Sequence, residues 1–191
     1  AVSDAEGAAS ALPEAYKNEF SKWSFDEGAA GFFTGNGGKF ALTIPAIKAF
    51  TQSADDYSVV CDPATLIATL TVEGGKVILN VQRAQGVVTV KDVPVTVINK
   101  NTGLSATVSV SNGLEKDAEG RYIITTAYDL AYVSENIADL YSADFIMHND
   151  VDMSVLSGFA PIGTTEIGFT GTFDGAGHTI SNLTVSAASP M

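Results

Sequence analysis

Basic residues are scarce in this chain. Ten lysines and arginines stand against twenty-two aspartates and glutamates, a formal net charge of −12. Nucleic-acid affinity comes largely from Lys and Arg neutralising phosphates, so a nucleic-acid partner is not expected. Cysteine is almost absent. Cys61 alone cannot form a disulfide within the chain, and its place in Tyr57-Ser-Val-Val-Cys61 fits a small buried residue of a strand. The two histidines, His148 and His178, are too few for a histidine-built metal cluster, and no cofactor is expected. No apolar run reaches the length that a membrane-crossing helix needs. There is no G-x-S-x-G nucleophile elbow. Thr34-Gly-Asn-Gly-Gly38 lacks the Gly-Lys-Ser/Thr of a phosphate-binding loop. No secretory leader is present, and a first residue Ala1 in place of Met fits a processed, secreted chain.

What the chain has is ample material for a core: 46% of its 191 residues are hydrophobic and only 17% charged, which argues against disorder. One or two domains are expected at this length. The sequence divides into residues 1–35, an N-terminal helical segment; 36–115, a β-sandwich; and 121–191, a helix followed by short strands. In the first, Ser10 caps a helix with Pro13 in its first turn, and Leu12, Tyr16, Phe20 and Trp23 form its apolar stripe. In the second, seven short strands are read: Lys39–Ile44, Tyr57–Cys61, Thr65–Val72, Lys76–Arg83, Val87–Val90, Val93–Lys100 and Leu104–Val110. Their turns, Glu73-Gly-Gly75 and Asn99-Lys-Asn-Thr-Gly103, have hairpin length. This count favours an Ig-like sandwich. Pro94 places its strand at an edge or a bulge.

The polar run Asn112–Gly120 is the boundary. Beyond it, Arg121–Thr125 reads as a strand and Thr126-Ala-Tyr-Asp129 as a capping box. Leu130, Val133, Ile137 and Leu140 then lie on one helical face. The stretch that organises this third is Phe169-Thr-Gly-Thr-Phe-Asp-Gly-Ala-Gly-His-Thr-Ile-Ser-Asn-Leu-Thr-Val185. Phe169, Gly171 and Phe173 alternate with threonines as in a half-buried strand. Asp174-Gly-Ala-Gly177 forms a turn in which Gly175 and Gly177 are free to take positive φ, and His178 sits at the corner. Ile180 returns to the inner face, Asn182 marks a second bend, and Leu183 and Val185 resume the alternation. Strands this short suit the stacked coils of a parallel β-helix.

Residues Thr125–Val185 resemble the opening region of secreted β-helix adhesins that carry GLUG repeats. The resemblance lies in Asp129-Leu-Ala-Tyr-Val133 within a helix, His148-Asn-Asp-Val-Asp-Met153, the Pro161-Ile-Gly163 turn, and the motif F-x-G-x-F-D-G-x-G-H-x-I-x-N-L over Phe169–Leu183. Ala176 stands where the family commonly has asparagine, and Met147-His148 where it has leucine. The fold class that follows is mainly β: an Ig-like sandwich and then the helix-capped start of a right-handed parallel β-helix. The family implies a structural or adhesive role at the cell surface and no chemistry.

Asp150 and Asp152, two apart in a strand, face one side and are the weak candidates for a carboxylate pair or calcium site. Closing backbone hydrogen bonds at a coil corner is the preferred reading for both. Asn182-Leu-Thr184 matches a glycosylation acceptor but reads as a bend. A stack of coils that stops after the first presents an uncovered apolar interior and unpaired backbone groups. The expectation is therefore a non-catalytic extracellular protein that forms a homo-oligomer or filament by strand addition. The first alternative is the N-terminal part of a larger adhesin with a glycan or matrix ligand. The second is a carbohydrate-active β-helix lyase or hydrolase, whose site would span several coils.

Overall fold

The structure is a computed structural model that describes residues 24–26, 28–35, 37–43, 53–101 and 103–185. It is mainly β, with several sheets, none of them closed on itself. The chain divides into two compact units, Ala1–Ser111 and Asn112–Met191.

The first unit holds two four-stranded sheets. One contains β1 (Ser24–Phe25), β3 (Gly37–Thr43), β5 (Leu66–Glu73) and β6 (Lys76–Arg83), in the order β1-β3-β6-β5. The other contains β2 (Ala30–Thr34), β4 (Tyr57–Val60), β7 (Val93–Asn99) and β8 (Ser105–Gly113), in the order β2-β8-β7-β4. One core draws from both: Phe25, Phe40, Leu42, Leu66, Val77, Leu79 and Val81 from the first sheet, and Phe33, Tyr57, Val95, Val97, Val108 and Val110 from the second. Their alternation with exposed neighbours is the period of two that buries one face of each strand. Lys76–Arg83 has the bounds read from the sequence, and Glu73↔Lys76 closes its hairpin with β5.

Several expectations need correction. The segment 24–35 is not the tail of a helical region: it carries β1 and β2, and β3 begins at Gly37, so the supposed loop 34–38 is mostly strand. The helix read over 10–23 lies outside the described residues. Val87–Val90 is not a strand. It crosses from β6 in one sheet to β7 in the other, and Val88 and Val90 are buried on the way. Pro94 lies in a strand with neighbours on both sides, yet the edge reading survives locally. The amide of Ser109, opposite Pro94, donates to Ala29 O on the β2 side. The nitrogen of Pro94 therefore faces β4, whose pairing stops at Thr96. A residue without an N–H is placed where no ladder bond is needed. Cys61 is half-buried just after β4, with its Sγ 3.6 Å from Leu66 O.

In the second unit, β9 (Tyr122–Ile124) leads to α1 (Ala127–Glu135) and α2 (Ile137–Leu140), then β10 (Phe145–Met147), β11 (Val151–Asp152), β12 (Phe173–Asp174) and β13 (Ile180–Ser181). The helical face expected from 130 to 140 is buried throughout, but over two helices that break at Asn136. The strand expected at 169–173 is confined to its last residue and Asp174. The pairs β9–β10, β10–β12 and β11–β13 are all parallel.

Candidate functional site

The second unit begins from a well-fixed helix start. Thr126 Oγ1 accepts the amide of Asp129, while Asp129 Oδ2 accepts the amide of Thr126 at 2.8 Å and both the amide and hydroxyl of Thr125 at 2.9 Å. The capping box thus satisfies donors that a helix N-terminus leaves unpaired. Leu130, Val133 and Leu140 from the helices join Ile124, Phe145, Met147, Val151 and Met153 in one buried cluster. The Ser134 hydroxyl donates to Ala160 O at 2.8 Å, which ties the Pro161-Ile-Gly163 turn to α1.

Two successive passes of the chain then lie in parallel register. The first runs over residues 144–159 and the second over 172–185. Phe145 pairs with Phe173, Val151 with Ile180, and Phe159 with Val185. The aromatic rings of the register line up: Tyr122 and Phe145 are 5.7 Å apart between centroids, Phe145 and Phe173 6.3 Å, with Phe169 5.9 Å from Phe145. Such separations are in the favourable range for offset aromatic pairs.

Aspartates of the first pass fasten the second. Asp144 Oδ1 accepts the hydroxyl of Thr172 at 2.7 Å and its amide at 3.0 Å. Asp150 Oδ1 accepts the amide of Thr179 at 2.9 Å and faces His178 Nδ1 at 3.3 Å. Asp152 Oδ1 accepts from Asn182 Nδ2 and from the amide of Ser154, both at 2.9 Å. All three carboxyls are held below their ordinary range: Asp144 chiefly by the Thr172 hydroxyl, Asp150 by the Thr179 amide, and Asp152 by the Asn182 side chain. Asp174 answers in the other direction, with Arg121 Nη1 at 3.6 Å.

The turn motif is built differently from the expectation in one respect. Positive φ falls on Ala176 (47°) and Gly177 (83°), not on Gly175. A left-handed alanine is costly where asparagine or glycine is not. Asn182, at φ 54°, makes the second bend. Gly171 is required by close approach: a Cβ there would collide with the carbonyl of Ala143.

The two passes differ sharply in what covers them. Phe145 is 0% exposed and Val151 2%, but their partners Phe173 and Ile180 are each 37% exposed, with Leu183 at 50% and Val185 at 51%. This second-pass layer is also nearly uncharged. Residues 169–185 carry one carboxylate, Asp174, and one imidazole, His178, both engaged within the unit. At the opposite edge, β9 is covered: the amide of Ile123 donates to Glu115 O and Lys116 bridges Tyr122 in antiparallel sense.

Sequence reasoning placed Phe173, Ile180, Leu183, Val185 and His178 in this layer, and Asp150 and Asp152 at its corners. It missed Asp144, Thr172, Thr179 and Arg121. The available signal was the equivalence of Asp144-Phe145 with Thr172-Phe173, which aligns an acceptor beneath a donor. Among the described residues no group of three or more His, Cys, Asp or Glu side chains is placed to hold a metal ion, and no helix is long and apolar enough to cross a membrane. The sequence matches no protein-family model, no curated protein and no solved structure.

Proposed function

We propose that the chain is a non-catalytic, extracellular structural or adhesive protein: an Ig-like sandwich followed by the helix-capped start of a right-handed parallel β-helix. In this reading a second copy of the chain adds a strand to the open edge of the second pass, building an oligomer, filament or surface layer. The observation that carries it is the contrast within one register. Phe173, Ile180 and Val185 lie exposed directly over buried or half-buried partners, as a rung does that awaits its neighbour.

The low charge of 169–185 supports a second copy as the occupant. In a chain of net charge −12, this is a face where two copies meet little repulsion. The covered outer edge of β9 implies that β12 does not dock on β9 of the next copy, so a growing assembly uses another acceptor surface. The resemblance of Thr125–Val185 to GLUG-repeat adhesins supports the surface location.

Sedimentation of the purified chain over a range of concentrations tests the reading. Self-association is expected, and Ile180→Asp is expected to abolish it by placing a charge in the contact. A chain that stays monomeric at the highest concentrations, or association untouched by Ile180→Asp, contradicts edge pairing.

A further inference from the structure

The second pass is held to the first in an unusual way for a protein core. Its large apolar residues Phe173, Ile180, Leu183 and Val185 keep much of their surface in water, so hydrophobic burial gives this layer far less than it gives the first pass. Beside the backbone bonds of the parallel register, from Phe145 to Thr172 O, Val151 to Thr179 O and Phe159 to Thr184 O, a row of carboxylates spans the two, each taking a backbone or side-chain donor from the pass above: Asp144 from Thr172, Asp150 from Thr179, and Asp152 from Asn182. Donors to an ionised acceptor make hydrogen bonds roughly twice as strong as those to a neutral one. Protonation removes that advantage at all three positions together.

We propose that the aspartate row is an acid-sensitive clasp, which releases residues 172–185 from the first pass while the rest of the chain stays folded. The charged and titratable groups facing the clasp are few. Arg121 lies near Asp144 and Asp174, and itself pairs with Asp117 at 2.8 Å and Glu119 at 3.6 Å; His178 faces Asp150. Asp152 faces the neutral Asn182 and Ser154. Arg121 stays charged throughout, so acidification breaks only the carboxylate side of these pairs.

The direction follows from the folded-state carboxyls lying below their ordinary values. Groups of this kind contribute stability that is fully present above the unfolded carboxyl range, near pH 4, and lost as pH falls through the lower folded values. The clasp is therefore closed at neutral pH and opens below about pH 4. Release uncovers the β10 and β11 edges and the Phe145 and Val151 side chains. The inference does not depend on any second copy and holds for the monomer.

Hydrogen exchange on the full chain, expressed as protection factors so that the intrinsic pH dependence cancels, gives the test. Between pH 6 and pH 3, the protection of the Thr172, Thr179 and Ser181 amides is expected to fall at least about tenfold more than that of sandwich amides such as Leu79 and Val97. In parallel, the amide proton shifts of Thr172 and Thr179 titrate with the carboxylates they touch. The triple variant D144N/D150N/D152N keeps an acceptor oxygen at each position and is expected to lose the pH dependence, with second-pass protection low at every pH. Flat protection of the second pass in the wild-type chain overturns the clasp, as does its loss only together with the sandwich.

Discussion

The first and second passes of the C-terminal unit have the same parallel register and the same succession of aromatic, aliphatic and corner residues, yet they are stabilised by different physics. The first is sealed. Helices α1 and α2 contribute Leu130, Val133 and Leu140 to the cluster that buries Phe145, Met147, Val151 and Met153. The second has the first beneath it, but Phe173, Ile180, Leu183 and Val185 remain partly in water, and backbone bonds together with hydrogen bonds to aspartates join it to the first. One register thus gives a core when covered and an exposed apolar edge when not, which is why repeat folds need caps.

Substitutions that exchange or exaggerate these roles sharpen the contrast. The largest effect is expected at Phe145, the ring central to the aromatic row. Phe145→Ala leaves a cavity in a fully buried site and should destabilise the unit by about 3–5 kcal/mol in denaturant unfolding. Phe173→Ala, one rung up, should cost only about 1 kcal/mol, because its side chain is already more than a third exposed. Equal costs at the two positions would erase the distinction between the passes.

Gly171→Ala comes next, at about 2–3 kcal/mol, since the added methyl meets the backbone of Ala143, which cannot rotate away. Exchange protection should drop first in the second pass. Asp129→Ala removes the capping box of α1 and two further bonds to Thr125, and a cost of about 1–2 kcal/mol to the C-terminal unit is expected, measured by the same unfolding. The smallest effect has the opposite sign. Ala176→Gly relieves a left-handed alanine and should stabilise the turn by about 0.5–1 kcal/mol.

How much of this was legible beforehand depended on whether the information was local. The hairpin of β5 and β6 was readable because its alternation and its Gly-Gly turn lie within eighteen contiguous residues. The capping box was readable because Thr126 and Asp129 are three apart. Val87–Val90 misled because a buried crossing between sheets has the same apolar composition as a strand, and only the neighbouring chain distinguishes them. Asp150 and Asp152 stand out as an i, i+2 pair, whereas their partners Thr179 and Asn182 lie 29 and 30 residues on. Asp144 was passed over for the same reason: its role exists only once Thr172 is stacked above it. The break at Asn136 was hidden inside a continuous apolar face that both helices share.

The most direct measurement of the central claim is amide hydrogen exchange of the chain at neutral pH, compared between dilute and concentrated samples. If the second pass is an edge that pairs with another copy, amides within 173–185 gain protection as concentration rises, while those of Phe145–Met147 and Val151 are protected at every concentration. Protection of 173–185 that is independent of concentration, in samples where the chain does associate, would contradict the account and place the contact elsewhere on the molecule.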